Sequence, residues 1–299
     1  MKTVDISQLK DLGGEGLGPW LMGDARILRT TWMSAPIRTP EQAQGVYDAY
    51  RAALVAGVRA PRPQEVVRVP DGYGMVVEYV PGLCLGAHVA FGTFPLAEAG
   101  REFGALAKRF HAAHTTGGLD WHVRFRGFAR QLSAQLPAPA HARLVALVDA
   151  VPASRTLLHG DLHMSNVVLC NGELAVIDTE SVGFGHPVFD LAIMRSRMFT
   201  GPRGEGEAVT WTSGDRQAVD LLWRETLAGY FPDAGDGEVE AIDHGIELLS
   251  QVDKAVHDYA IAEPGKGAGD NLTPEQQARF EACVRRIAEL MFDVECLYF

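Results

Sequence analysis

LLHGDLHMSNVVLCNGELAVIDTESVGFGHPVFD, Leu157 to Asp190, decides how the rest of the chain is read. Two short apolar runs, Val167–Cys170 and Leu174–Ile177, flank Asn171-Gly172. Asn-Gly is the preferred pair for a two-residue hairpin turn, because both positions accept positive φ. Such a hairpin returns the chain to the edge it left. Asn166, where the first strand begins, and Asp178, where the second ends, therefore become neighbours. An amide oxygen and a carboxylate are hard ligands, suited to Mg²⁺ shared with phosphate oxygens. Asp161 lies five residues before Asn166, on the loop leading in, where it can face the same space and orient a hydroxyl. These three groups are the minimum chemistry for moving a phosphoryl group onto an alcohol.

Working outward, Val4–Trp32 reads as strands joined by turns, with GGEGLGP (Gly13–Pro19) as a loop. A helix is expected from about Glu41 to Ala56, with Val46, Ala49, Tyr50 and Ala53 on one face and Gly57 ending it. Pro61 and Pro63 mark an extended connection. Val66–Val69 and Met75–Val80 flank Asp71-Gly72, a hairpin signal, and Pro81-Gly82 closes this half. Beyond it the pattern turns helical. Glu98–His114 carries Phe103, Leu106, Ala107 and Phe110 at helical spacing, and Ala140–Val151 is a second helix. Further helices are expected at Arg216–Tyr230, Val239–Ala262 and Pro274–Cys296, the last opened by Thr273-Pro274-Glu275. Thr200–Gly214 reads as a loop. The predicted fold is α+β and bilobal: a small β-rich N-terminal lobe over residues 1–82 and a larger helical lobe over 83–299.

Composition fits that picture. A chain of 299 residues is long for one core and short for two independent ones. The net charge is −11, yet residues 1–82 hold nine basic and nine acidic residues, so the excess of acid lies beyond them. An acidic body disfavours nucleic acid as a partner and suits a cationic or neutral small molecule. No apolar run approaches the ~20 residues that span a bilayer. The start, MKTVDISQLK, lacks the apolar core of a secretory signal. Cys84, Cys170, Cys283 and Cys296 are scattered, which argues for reduced thiols in a cytoplasmic protein and against a zinc site.

His159-Gly160-Asp161-x4-Asn166, followed by a strand ending in Asp178, resembles the aminoglycoside phosphotransferase and choline kinase group of the protein-kinase-like fold. Ile177–Ala192 looks most like a small bacterial phosphotransferase branch, and the likeness runs from Val4 to about Ala192. The resemblance implies that Asp161 is the catalytic aspartate and that Asn166 and Asp178 are magnesium ligands. It places Glu180 as a second acid near the metal, and Asp190 as the residue that steadies the catalytic loop, with His159 in structural support. Val77–Val80 would be the hinge, with the backbone of Glu78, Tyr79 and Val80 pairing with the purine of ATP or GTP. Gly13, Gly14, Gly16 and Gly18 would form the loop over the phosphates. The implied acceptor is a hydroxyl of an antibiotic, amino sugar, nucleoside or similar metabolite, with antibiotic inactivation as the implied role. His163 is a candidate for the acceptor side, and Glu225, Glu247, Asp253 and Asp258 are further candidates; His111 and His114 read as packing or surface residues.

The N-terminal half departs from the group in three places. Arg29 stands where a strand lysine normally holds the α- and β-phosphates, and a planar fork is not equivalent to a point charge. Val46 replaces the helix glutamate that pairs with that lysine, leaving Asp48 and Glu41 as nearby substitutes. In the glycine loop, one register puts Glu15 and the other Pro19 where glycine is expected. Two alternatives follow: a nucleotide-binding pseudokinase with a regulatory role, and an atypical protein kinase. Against the latter, TESVGFGHP after Asp178 leaves no room for a long peptide-docking segment.

Overall fold

The computed structural model describes residues 1–12, 19–23, 25–32, 35–199, 211–257 and 272–299. Its N-terminal part is an antiparallel sheet of β1 (Lys10–Asp11), β2 (Trp20–Met22), β3 (Arg26–Arg29), β6 (Pro63–Val69) and β7 (Gly72–Glu78), in the order β1-β2-β3-β7-β6. Between β3 and β6 come a short hairpin, β4 (Thr31–Trp32) with β5 (Ala35–Pro36), and helix α1 (Pro40–Ala53). Thr39 and Gln42 form a capping box at the start of α1, and Pro40 fills its first turn. Ala43, Val46 and Tyr50 of α1 pack with Ile37, Met75 and Val77 on one face of the sheet. Trp20, Leu28, Val67, Val69 and Val76 bury the other. The β6–β7 turn sits one residue earlier than its Asp-Gly signal: Val69 pairs with Gly72, so Pro70 and Asp71 are the turn residues. Pro70 brings the φ that the second turn position needs. Gly72 instead opens β7 at φ 153°, close against the Ile37 carbonyl, where a side chain could not follow.

The rest is mainly helical: α2 (Leu85–Ala90), α3 (Leu96–His111), α4 (Trp121–Gln131), α5 (Ala138–Asp149), α6 (Val188–Phe199), α7 (Arg216–Tyr230), α8 (Asp236–His257) and α9 (Pro274–Asp293). Two three-stranded sheets join them, β10 (Leu157–Leu158) with β13 (Gly183–Phe184) and β9 (Leu119–Asp120), and β12 (Glu173–Val176) with β11 (Val167–Cys170) and β8 (Leu83–Cys84). Helices α3 and α7 pack in close backbone contact, because Gly104 faces the Thr226 carbonyl and Gly229 faces Arg101. Helix α8 leans on α6 and α9, so α7 and α8 diverge from a common turn. One continuous apolar core runs through these helices, from Phe103, Phe110 and Trp121 to Phe189, Leu249 and Ile287. Among the described residues, no helix is long and apolar enough to cross a membrane.

Candidate active site

The Asn-Gly hairpin forms as its residues dictate. Asn171 and Gly172 have φ of 53° and 84°, and Cys170 pairs with Glu173 and Val167 with Val176. The ladder continues one step further, where the Ile177 N–H donates to the Asn166 carbonyl at 2.8 Å. Asn166 and Asp178 thus flank one end of the hairpin. Asp178 leaves the strand in the left-handed region, at φ 61° and ψ 46°. That conformation is uncommon outside glycine, though aspartate tolerates it better than most residues.

The loop before the hairpin hangs on one buried acid. Asp190, on the first turn of α6, is fully buried and accepts the backbone N–H of His159 and of Gly160, each at 2.7 Å. A third bond joins Asp190 to His111 Nε2 at 3.0 Å, and His111 Nδ1 meets the Tyr230 hydroxyl at 2.8 Å. Since the carboxylate can only accept, His111 carries a proton on Nε2; in the neutral ring Tyr230 then donates to Nδ1. Gly160 has φ 79°, and a Cβ there would strike the Trp121 ring and the Ser181 carbonyl. These bonds, with the close packing at Gly160, hold the loop against α6 and Trp121. His159 is sealed in the core, and burial pushes its imidazole below the ordinary histidine value. In the neutral form its Nε2–H donates to the Ile177 carbonyl at 3.0 Å, while Nδ1 accepts the Asp161 N–H at 3.3 Å.

Asp161 is thereby fixed from both sides along the chain. Asn166 Nδ2 donates to its carbonyl at 2.9 Å, which leaves the Asn166 side-chain oxygen for another partner. The Asp161 carboxylate meets Arg197 Nε at 3.2 Å and His163 Nε2 at 3.6 Å. Burial opposes its charge, but His163, Arg197 and His159 outweigh that and hold the carboxyl well below the usual range. It stays ionised at any working pH and can accept a hydrogen bond. Arg197 also lies 4.0 Å from the fully buried Asp253.

Across the cleft, Arg29 on β3 reaches from the sheet to the hairpin end. Its Nη2 is 2.9 Å from Glu180 Oε2, a hydrogen bond, and 2.7 Å from Asp178 Oδ1, an ionic contact without hydrogen-bond alignment. Burial alone would lower the Arg29 pKa, but the Tyr50 phenol, Asp178 and Glu180 around it reverse that and raise it. The expected substitutes on α1 do not take part: Glu41 and Asp48 are exposed, and Asp48 accepts from Gln44. Glu180 supplies the carboxylate instead, while Val46 is buried in the core beneath. At the expected hinge, the N–H groups of Glu78 and Tyr79 are committed to the Arg62 and Ala25 carbonyls. The Glu78 carboxylate holds Arg59 at 2.7 Å, and Val80 packs against Val168. Gly13, Gly14, Gly16 and Gly18, with Glu15, lie outside the described residues, as do 200–210 and Asp258. Glu225 pairs with Arg101 at 2.5 Å, and Glu247 with Arg286 and Arg195 at 2.8 and 3.1 Å. His114 is exposed.

Among the described residues no group of His, Cys, Asp or Glu forms a self-sufficient metal cage. The Asn166 and Asp178 oxygens are instead a partial donor set, of the kind that holds Mg²⁺ together with phosphate oxygens. Arg29 Nε is buried with no hydrogen-bond partner among the described residues, an open donor beside that set. The residues present therefore fit a metal–phosphate group. Sequence reasoning did not find Arg197 or the Tyr230–His111 link. Both join positions tens of residues apart and leave no local pattern.

A choline/ethanolamine kinase family protein from Mesorhizobium loti is 19% identical, with a TM-score of 0.58, over 95% of this chain and 87% of that one. Amicoumacin kinase hAmiN, solved with AMP-PNP, Ca²⁺ and Ami, is 17% identical, with a TM-score of 0.61, over 94% of this chain and 88% of that one. Aminoglycoside phosphotransferase APH(3'')-Id from Streptomyces rimosus, solved with ADP and streptomycin, is 16% identical, with a TM-score of 0.52, over 82% of this chain and 93% of that one. At these identities the likeness shows the protein-kinase-like fold. No curated protein sequence matches the chain. The model of one family, described as the phosphotransferase enzyme family, matches residues 20–226, well over half of the chain and including Arg29, Asp161, Asn166, Asp178 and Asp190. The chain belongs to the phosphotransferase enzyme family.

Proposed function

We propose that this small-molecule phosphotransferase moves the γ-phosphoryl of ATP or GTP, with Mg²⁺, onto a hydroxyl of an antibiotic, amino sugar, nucleoside or similar metabolite. The observation that carries this is the clustering at one hairpin end: Asn166 braces Asp161 through Nδ2, and Arg29 reaches Asp178. Residues 1–82 serve as the nucleotide lobe and 83–299 as the acceptor lobe. Asp161 orients the attacking hydroxyl. Arg29 binds the donor phosphates once it swings off the acids. The remaining backbone groups of Glu78, Tyr79 and Val80 read the purine, and His163 faces the acceptor. Asn166 and Asp178 hold the metal, with Glu180 behind them, and the metal when bound neutralises phosphate charge. Phosphoryl transfer asks for little beyond positioning and charge neutralisation. Two of the structural neighbours, amicoumacin kinase and the Streptomyces rimosus enzyme, were solved with Ami and streptomycin, which supports a small acceptor and inactivation of a drug as its role.

The test is mass spectrometry on mixtures of protein, Mg²⁺, ATP or GTP, and a panel of aminoglycosides, nucleoside antibiotics, macrolides and amino sugars. A gain of one phosphoryl group on an acceptor, lost in Asp161→Ala, is the expected result. Product undiminished in that variant refutes the role of Asp161. The ion pair of Arg29 with Asp178 favours a second reading, a nucleotide-binding pseudokinase held closed by its own arginine. In that case nucleotide raises the melting temperature while no phosphate is consumed.

A further inference from the structure

A cavity of about 820 Å³ lies between the diverging helices α7 and α8. Its volume falls in the ~300–1,000 Å³ range usual for small-molecule sites. It is not the cleft described above. Arg195 and Phe199 line it, and at ~100° per residue they sit about 160° around α6 from Arg197, the residue that reaches Asp161. The cavity therefore opens on the face of α6 turned away from the catalytic loop.

The floor is built from side chains that pair with one another. The Arg195 guanidinium is stacked on two rings, 4.8 Å from the Phe199 centroid and 5.5 Å from that of Trp223. It is neutralised by Glu247 at 3.1 Å and Asp243 at 3.8 Å, and Asp243 also accepts from Trp223 Nε1 at 2.8 Å. These two acids are thus already committed. Five residues link α7 to α8, so the helices run antiparallel and the cavity has two unlike ends. Toward the link it is apolar, with Leu227, Phe231, Pro232, Ala234 and Val239. At the other end stand Arg216, Lys254 and Arg279, with Asp220 as the acid beside them. Arg279 is shared with Glu275 at 2.6 Å, but Arg216 and Lys254 have no ion pair among the described residues. Arg224 and Glu240 are exposed at the rim. A cation-rich end is notable on a chain of net charge −11.

We propose that this cavity is a second small-molecule site, and that it takes an amphipathic anion. The apolar body lies toward the α7–α8 link, and a carboxylate, sulfonate or phosphate head lies toward Arg216 and Lys254. Charge complementarity selects the head, and burial against Phe231 and Val239 drives binding of the body. The reading stands whether or not the transfer cleft is active.

The probe is 1-anilinonaphthalene-8-sulfonate, titrated against the intact chain by fluorescence, with and without excess Mg²⁺ and AMP-PNP. Saturation at one site per chain that nucleotide does not displace is expected. N-phenyl-1-naphthylamine, the same body without the sulfonate, is expected to bind roughly tenfold more weakly, as is the sulfonate to Arg216→Glu/Lys254→Glu. Far-ultraviolet circular dichroism checks the fold of that variant; if it is lost, Arg216→Gln/Lys254→Gln takes its place with a smaller loss in the same direction. Displacement by nucleotide, equal affinity for the uncharged analogue, or unchanged affinity in the folded variant would each overturn the proposal.

Discussion

Replacing Asp190 tests the central claim that one buried acid sets the catalytic loop. In Asp190→Ala the N–H groups of His159 and Gly160 and the Nε2–H of His111 lose their acceptor in a site that water does not reach. Each orphaned buried donor costs ~1–3 kcal/mol, so the three together cost roughly 3–9 kcal/mol. Removing the carboxylate also removes its own desolvation cost, which places the expected loss in the lower part, about 3–5 kcal/mol. Asp190→Asn is milder. One oxygen still accepts, and an amide turned toward His111 can donate if that ring shifts its proton to Nδ1 and Tyr230 accepts. A single backbone N–H is then orphaned, for ~1–3 kcal/mol. Urea unfolding gives the ordering through the midpoint at constant slope. Phosphoryl transfer by the fully folded Asn variant is expected to fall as well, because Gly160 leads directly into Asp161. An alanine variant within ~1 kcal/mol of the parent would refute the reasoning, since no relaxed surface site loses three buried donors so cheaply.

Asp161→Asn keeps the shape of the loop and removes the charge; transfer is expected to fall by about 10²–10⁴ while nucleotide affinity changes little, as read by steady-state rates beside calorimetry. In Arg29→Met, Asp178 and Glu180 face each other without their counter-charge, so Mg²⁺ alone is expected to raise the melting temperature more than it does in the parent. An equal response to Mg²⁺ counts against that pairing. Burial lowers the imidazole pKa of His159 and of His186 from the ordinary 6.5. The unfolded chain then binds more protons, so stability is whole above pH 6.5 and declines as pH falls below it, by up to ~1.4 kcal/mol per pH unit for each ring. Urea midpoints between pH 7 and 5 measure the decline, and His159→Asn is expected to flatten part of it. Gly160→Ala forces a Cβ into the Trp121 ring at a positive φ, and is expected to abolish transfer even where the fold survives.

The parts of this molecule that the sequence revealed are those written over short distances. Asn171-Gly172 announces its turn in two residues, and the strands, the register and the meeting of Asn166 with Asp178 follow from it. The sheet-rich start and helical remainder were legible from the change of period, and the capping boxes at Thr39 and Thr273 agree with it. Helix α6 was not legible as a helix, because nine of its twelve residues are buried and no polar stripe remains to show a period. Helix α2 is only six residues long, and α4 carries Gly127 and three arginines that blur its pattern. At the site, the sequence offers Arg29 acidic partners along α1, Glu41 and Asp48. The guanidinium instead spans the cleft to Glu180, 151 positions later. Arg197 has no local signature either: its place beside Asp161 exists only once α6 has packed.

The bridge from Arg29 to Asp178 and Glu180 gives the cleft a counter-ion of its own. Without it, Asp178 and Glu180, both on the hairpin side, would repel each other, and the sheet would lose its ionic tie to the hairpin end. On the function proposed above, loading Mg²⁺ and donor would be an ion exchange: one fixed cation would step from carboxylates to phosphates as a mobile one took its seat.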